Sequence, residues 1–440
     1  MKKYKLSTIL LFFTLFVTGV PAQTFSLEDC IKASLDNSRP LALNNSAIQQ
    51  NLGKVKEVAA MKLPQLKFLA SYSRLSDIPN SEIKLPFLPS PVVLQEPILN
   101  NYALRLSLTQ PLFTGHRLSS QEKSVEISTE ALKSDNEIIK NDEAIKTIAA
   151  YYNLAAANEQ LAVIEENITT LKKRLSDAND FYKNGLITRN DILKIEVQIS
   201  NTLSKKIDAE TAILAAKAQL NLAIGRSVDS PIEINKFSWA EPATAIDFET
   251  LKQTAETNRG EFKTLAIKQK VLEENMNVAK AGYLPEIYLG SNLYYTNPSQ
   301  RIFPQKDEFR ATWDVSLSLQ WNVWDWGATS AKVDQATESI KSLGTTKQQL
   351  SDAVSNEVYQ NYLQYTAARS KLKNLEITLE QANENYRVTL ENFNAQVATA
   401  ADLLEADNSL FAAKTSLQLA KIGIVLSGYK LLKSTGKRLY

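Results

Sequence analysis

One histidine and one cysteine occur in 440 residues. That scarcity excludes a His/Cys zinc cluster, a Ser-His-Asp or Cys-His pair with a spare, and any disulfide within the chain. Carboxylates and lysines alone would have to carry a reaction, and no glycine-rich phosphate loop is present, so the chain reads as not an enzyme, with no cofactor. A dominant charge is lacking too: 50 Lys and Arg face 48 Asp and Glu, leaving +2. This argues against a polybasic nucleic-acid surface and against an acidic disordered tail. Glycine and proline are sparse, 13 and 14 respectively, for a length that usually makes two or three compact domains. Cys30 reads as a buried thiol. His116, just past a strand end, reads as an interfacial or helix-start residue.

At the N-terminus, Lys2, Lys3 and Lys5 precede an apolar stretch from Ile9 to Val20 and a small-residue cleavage site at Val20-Pro21-Ala22. Residues 1–22 are therefore expected to be a signal peptide, the stretch being shorter than the ~18 apolar residues that an anchor needs. No later segment reads as apolar enough to cross a bilayer as a helix. Membrane entry, if any, is expected by strands.

The chain repeats itself. At an offset of 221, Glu28, Asn37, Ala60, Leu63 and Pro64 match Glu249, Asn258, Ala281, Leu284 and Pro285; at 211, Tyr151, Thr188, Asp191, Leu193 and Gly225 match Tyr362, Thr399, Asp402, Leu404 and Gly436. We expect a tandem duplication: a first repeat over 23–225, a linker over 226–247, a second repeat over 248–436 and a tail over 437–440. Proline is absent from 112–230 and from 305–440, which are expected to be helical. Within them Leu161, Ile164, Ile168, Leu171, Leu175, Ala178 and Tyr182, and likewise Leu372, Leu375, Leu379, Ala382, Tyr386, Thr389 and Phe393, step by threes and fours as in a coiled-coil seam. Helices over 117–183 and 328–394 would each be about 100 Å long. Second helices, about Asp191 to Gly225 and Asp402 to Gly436, complete hairpins over 117–225 and 328–436. A shorter helix, about Pro40 to Lys62 in the first copy, precedes each block. Five prolines between Pro79 and Pro97 mark an irregular loop.

β-Hairpins are expected over 64–111 and 285–323. Tyr102, Leu104, Leu106 and Leu108 alternate with polar neighbours, as do Trp313, Val315, Leu317, Leu319, Trp321 and Val323. No apolar layer is evident to cover such a sheet, and Trp313, Trp321, Trp324 and Trp326 suit an aromatic girdle, so membrane strands are the better reading. Four strands cannot close a barrel. Two, three or four chains would give 8, 12 or 16 strands, and the pattern does not choose among them.

The order of these elements, with Leu63-Pro64-Gln65-Leu66, Gln110-Pro111-Leu112-Phe113-Thr114-Gly115, Gly185-Leu186-Ile187-Thr188-Arg189-Asn190-Asp191-Ile192-Leu193 and Ala401-Asp402-Leu403-Leu404-Glu405-Ala406, resembles the TolC-type outer-membrane efflux proteins across the mature chain. The resemblance implies a mainly α fold with a small β part: a homotrimer whose long hairpins form an α-barrel in the periplasm and whose strands share a 12-stranded β-barrel in outer-membrane lipid. It implies a passive exit duct for drugs, metal ions or secreted proteins. Its partners would be a periplasmic adaptor and an inner-membrane pump of the RND, ABC or MFS type. Metal export loses some weight because only 3 Met occur.

The resemblance also places an acidic constriction at Asp402 and Glu405, whose i, i+3 spacing puts them on one helical face. Rings of carboxylates there would attract cations, and multivalent cations are expected to block. Gly185, Leu186, Asn190, Asp191, Phe393 and Gln396 would form the gate and the adaptor-docking tips. Family members close the gate with a tyrosine and an arginine on the second hairpin. This chain has Phe393 and Ala398 there, so the gate is expected to be held differently. Gln396 stands where Gly185 stands in the first copy, and a different turn geometry is expected. A structural or adhesive coiled-coil protein of the envelope would explain the heptads but not the Trp-rich strands. A periplasmic adaptor would not carry the duplication.

Overall fold

The computed structural model describes residues 24–237, 239 and 247–440. The expected signal peptide lies outside the described residues, as do 238 and 240–246 of the expected linker. In chain order the elements are β1 (Thr24–Phe25), α1 (Leu27–Asp36), α2 (Arg39–Ala60), β2 (Gln65–Arg74), β3 (Ser81–Ile83), β4 (Val92–Gln95), β5 (Asn100–Thr114), α3 (Arg117–Lys183) and α4 (Arg189–Ala223). After β6 (Glu233–Ile234) come α5 (Phe248–Asn258), α6 (Gly260–Lys280), a single 3-10 turn (Ala281–Tyr283), β7 (Glu286–Asn297), β8 (Arg310–Gln320), α7 (Ala328–Asn394) and α8 (Ala400–Ser434).

Helices α3 and α7 each run 67 residues without a break, as their lack of proline predicts. Their partners start two residues earlier than the sequence pattern indicated. The reason is a capping box at each: the Thr188 and Thr399 hydroxyls accept from the backbone N–H of Asp191 (3.3 Å) and Asp402 (3.2 Å), and each carboxylate accepts from its threonine in return. They also end two residues short of Gly225 and Gly436, which lie past the helix ends with φ +77°. A Cβ on Gly225 would clash with Asn37 Cβ, and one on Gly436 would sit 2.8 Å from the Arg259 nitrogen. Each hairpin's end is thus pressed against the short-helix pair of its own half.

That pair was only half anticipated. The segment near Pro40–Lys62 is α2, but α1 and α5 precede α2 and α6; they are short, and their caps, Ser26 and Asp247, accept from the N–H of Asp29 (3.1 Å) and Thr250 (3.0 Å). Asn44 and Asn51 on α2 donate to the α3 carbonyls of Leu132 and Val125, both at 2.8 Å, seating α2 along the long helix.

Two apolar cores hold the waist. One joins α5 to α7 and α8 through Leu251, Val354, Val358, Ile424 and Leu431; the other joins α1 to α3 and α4 through Cys30, Tyr151, Leu154, Leu220 and Ile224. Burial pushes the Cys30 thiol up to about 12. The expectation that no later helix could cross a bilayer needs correction: α8 is long and apolar enough by composition. Here it packs along α7 and α3, and one set of its apolar residues, Leu403, Leu410, Leu417 and Val425 among them, is buried, while others such as Leu419 stay exposed.

Strands β2, β5, β7 and β8 form one antiparallel sheet in that order. β5 continues past Pro111, where the missing donor coincides with a bulge before Phe113. The proline-rich loop is not wholly irregular, since β3 and β4 pair within it.

Candidate functional site: a membrane sheet and paired helical tips

Period two sorts the sheet into two faces. On one, Phe68 lies opposite Leu106, Leu106 opposite Leu293 and Leu293 opposite Trp313, an apolar row across all four strands. Leu66, Val315, Leu317 and Leu319 extend it, all more than half exposed. No described element covers this face. A soluble sheet would bury it, because a contiguous apolar patch of this size in water is unfavourable; lipid satisfies it instead. The other face carries Lys67, Arg105, Ser107, Asn292, Tyr294, Asp314, Ser316 and Ser318. Arg105 donates to Asn292 Oδ1 (2.8 Å), and Asn292 donates to Asp314 Oδ1 (2.8 Å).

Aromatic side chains mark both margins of the apolar face. At the loop end, Tyr72, Tyr102, Phe309 and Tyr295 form a row with ring centroids 5.0, 5.7 and 5.0 Å apart in turn. At the helix end, Trp321 Nε1 donates to the Tyr283 carbonyl (3.1 Å), and Trp324 meets Trp326 edge-on. The four tryptophans therefore do not form a single band. Trp313 and Trp321 share a face but lie eight residues apart, about 27 Å along a strand, so Trp313 belongs to the opposite margin. The tyrosine row carried no such cluster in the sequence, because its members come from three strands and a loop.

Below the sheet, both strand-to-helix reversals use two successive left-handed residues. They are Gly115 (φ +58°) and His116 (φ +66°) before α3, and Trp326 (φ +56°) and Gly327 (φ +82°) before α7. His116 is thus the helix-start residue expected, packed edge-on against Phe113.

At the far end the hairpins turn at Gly185 and Gln396. In the first, the Gly185 and Leu186 N–H groups donate to the carbonyls of Tyr182 and Phe181; in the second, Gln396 and Val397 donate to Phe393 and Asn392. These are the same C-capping turn, and Gln396 adopts φ +64° to make it. The expected difference in geometry is absent. The glutamine instead carries the backbone cost that glycine avoids.

Gly185, Leu186 and Asn190 are exposed at the tip, and Asp191 is half-exposed and tied into its cap, its carboxyl held below the usual range chiefly by the Thr188 hydroxyl. Phe393 points the other way. It is buried with Ala400 and Leu403 against Phe181 and Ile187 of the first hairpin, the two phenyl rings 5.7 Å apart. Asp402 and Glu405 are both exposed on α8. Asp402 is engaged in its capping box, and hydrogen bonds from Thr399 keep its carboxyl low, so it stays ionised.

Above the tips, polar contacts join the two hairpins. Arg174 Nη2 donates to Tyr386 Oη (2.6 Å), Asn167 Nδ2 to Asp407 Oδ2 (3.1 Å), Gln198 Nε2 to Asn408 Oδ1 (2.6 Å), and Lys414 pairs with Glu166 (2.7 Å). Asp407 is buried at 5% exposure. Burial raises its pKa against the opposing pull of Asn167, Arg174 and Lys414. None of these pairs was read from the sequence, where partners stand more than 200 positions apart; an acidic residue inside an apolar seam was the one available signal.

A model of outer membrane efflux proteins matches residues 30–226 and 251–436. The chain belongs to that family. Among its relatives, the alkaline protease secretion protein AprF of Pseudomonas aeruginosa is 24% identical over 417 residues, covering 90% of this chain and 82% of that one. The outer membrane protein TolC of Escherichia coli is 19% identical over 352 residues, covering 77% and 70%. The outer membrane protein VceC of Vibrio cholerae superposes with a TM-score of 0.74 at 14% identity, covering 94% of this chain and 97% of the other. This efflux-family chain is an exit channel of the outer membrane in Gram-negative bacteria and not an enzyme. Its architecture is that of the family, long helical hairpins joined to a small membrane sheet.

Proposed function

We propose that three copies of this chain form one continuous duct, a 12-stranded β-barrel in the outer membrane leading into an α-barrel built from the duplicated hairpins. The observation that carries this is the sheet itself: four strands with an uncovered apolar face, a polar face and two unpaired edges, β2 and β8. Pairing β2 of one chain with β8 of the next removes every edge. The hairpin lengths then set a particle well over 100 Å long. Cargo reaches the duct from an inner-membrane pump through a periplasmic adaptor that meets the exposed tip residues Gly185, Leu186, Asn190 and Gln396 and the half-exposed Asp191. Phe393 serves to close the tips from inside. Likeness to AprF supports secreted protein among the cargo classes.

At the entrance, Glu405 and Asp402 supply the acidic constriction. Glu405 is the freer group, since the threonine cap occupies one oxygen of Asp402. Electron microscopy of the detergent-purified protein tests the assembly: a three-fold particle with a barrel at one end is expected, and a compact monomer or a bare rod would overturn it. Single-channel recording tests the constriction. Glu405→Gln is expected to weaken block by divalent cations, and an unchanged blocking concentration would remove Glu405 from the pore.

A further inference from the structure

The polar face of the sheet carries charge opposite in sign to the entrance. Lys67 and Arg105 project from β2 and β5, and Arg301 reaches onto the same face from the loop joining β7 to β8. There it pairs with Asp314 and lies over the Tyr294 ring, 4.2 Å from guanidinium carbon to centroid. Arg105 lies against the same ring at 5.2 Å, so Tyr294 is shared by two guanidinium groups. Arg105 is held by neutral Asn292 and has no carboxylate partner among the described residues; the same holds for Lys67. At the margins Arg117 pairs with Glu286 and Arg310 with Glu308, while the loop carboxylate of Asp307 accepts from Asn297 Nδ2 at 2.9 Å. Arg105, Arg301 and Lys67 thus outnumber the two carboxylates nearest them, Asp314 and Asp307.

The loop and the sheet enclose a cavity of about 260 Å³ between Arg105, Tyr294 and Arg301. Asn297, only 8% exposed, lines it with its Nδ2 donating to Asp307 and its Oδ1 unpartnered, and Thr312 adds an unpartnered hydroxyl. Guanidinium groups offer forked donors to phosphate, sulfate or carboxylate, and the two acceptors suit the hydroxyl or water donors that accompany such groups.

We propose that the outer half of the duct is a binding band for polyanions, formed by Arg105, Arg301 and Lys67 of each chain. This rests on the reading that the polar face lines a lumen. It makes the conduit bipolar, acidic at the hairpin entrance and basic at the outer mouth. Charged rings of this kind govern which ions dwell in a pore.

The test is single-channel recording in phosphatidylcholine bilayers, with sodium tripolyphosphate as the probe and the barrel inserted from a known side. Tripolyphosphate added on the loop side is expected to block at roughly tenfold lower concentration than on the hairpin side, and Arg105→Gln or Arg301→Gln to raise that concentration about tenfold, as loss of one charge-assisted contact would. Arg105→Lys should keep most of the block. Arg301 lies outside the strands, so its replacement leaves the sheet's hydrogen bonds in place. Channels that open normally but are blocked equally from both sides, or for which the Arg105→Gln/Arg301→Gln double variant changes nothing, would overturn the proposal while leaving the duct intact. Failure of the wild-type protein to form any channel would overturn the duct and this inference together.

Discussion

The Tyr386 hydroxyl on α7 accepts a hydrogen bond from Arg174 on α3 at 2.6 Å, and the guanidinium carbon lies 5.6 Å from the tyrosine ring centre. An arginine on the first hairpin and a tyrosine on the second therefore tie the two together, whereas the family resemblance implied a tyrosine and an arginine both on the second hairpin. Tyr386→Phe removes the hydrogen bond and keeps the ring. It is expected to cost about 1 kcal/mol of hairpin docking and to raise the frequency of open events in single-channel records. Tyr386→Ala should do more of both, and unchanged gating in both variants would deny this contact a part in closure.

The second prediction concerns Phe393. Its ring is buried against Phe181 across the two hairpins, where a hydroxyl donor would be expected in the family. Phe393→Ala leaves a cavity at the tip and should destabilise it by roughly 3 kcal/mol. Faster proteolysis at the tips of the purified protein would report it.

Gln396 gives a change of opposite sign. Its left-handed backbone carries a cost that glycine does not, so Gln396→Gly is expected to stabilise the second turn by about 1 kcal/mol. Gly185→Gln should cost a similar amount, because a Cβ there meets open space and only the backbone resists. Slower hydrogen exchange at the tip amides in Gln396→Gly, and faster in Gly185→Gln, is the expected pair of results.

A fourth prediction follows from buried Asp407. Its folded pKa is raised, so the folded chain holds the proton more tightly than the unfolded one. Stability therefore falls as pH rises from the ordinary carboxylate range through the folded value. Above that window the buried charge is a standing cost, offset in part by Arg174 and Lys414. Asp407→Asn keeps an acceptor for Asn167 and removes the charge. Its thermal stability should exceed that of wild type at neutral pH and converge with it in acid. A constant difference across pH would contradict the assignment.

At the membrane boundary, Gly115 and Gly327 should respond unequally. Both are left-handed, but a Cβ on Gly115 would sit 2.9 Å from the Ala281 carbonyl oxygen and from Leu284 Cβ, whereas Gly327 faces open space. Gly327→Ala is expected to cost about 1 kcal/mol from backbone strain alone. Gly115→Ala must also displace the 3-10 turn, and the yield of heat-modifiable oligomer should fall sharply for it alone.

Much of the architecture was legible in the residues. Absence of proline over 112–230 and 305–440 set the long helices, and period two set the strands, because both are local consequences of backbone geometry. The short helices α1 and α5 were missed, since ten or eleven residues offer few turns over which a period can show. Trp313 and Trp321 looked like neighbours because sequence distance ignores the rise of a strand. The links Arg174–Tyr386 and Asn167–Asp407 were invisible for a different reason: they depend on how two hairpins lie against each other, which no single stretch of chain specifies. Gln396 shows the converse limit, a residue poorly suited to a turn that its surroundings impose anyway.

The unpaired edges of β2 and β8 carry a genetic consequence. In the proposed trimer, a chain that completes its barrel only with strands of its neighbours would have no membrane-inserted state of its own, so insertion and assembly would become one event. A defective copy with intact edges would be built into the same rings as the normal one. With equal expression of both and three chains per ring, on the order of one assembly in eight would be wholly normal. Point mutations at the tips should therefore be dominant, whereas those that destroy β2 or β8 should be recessive.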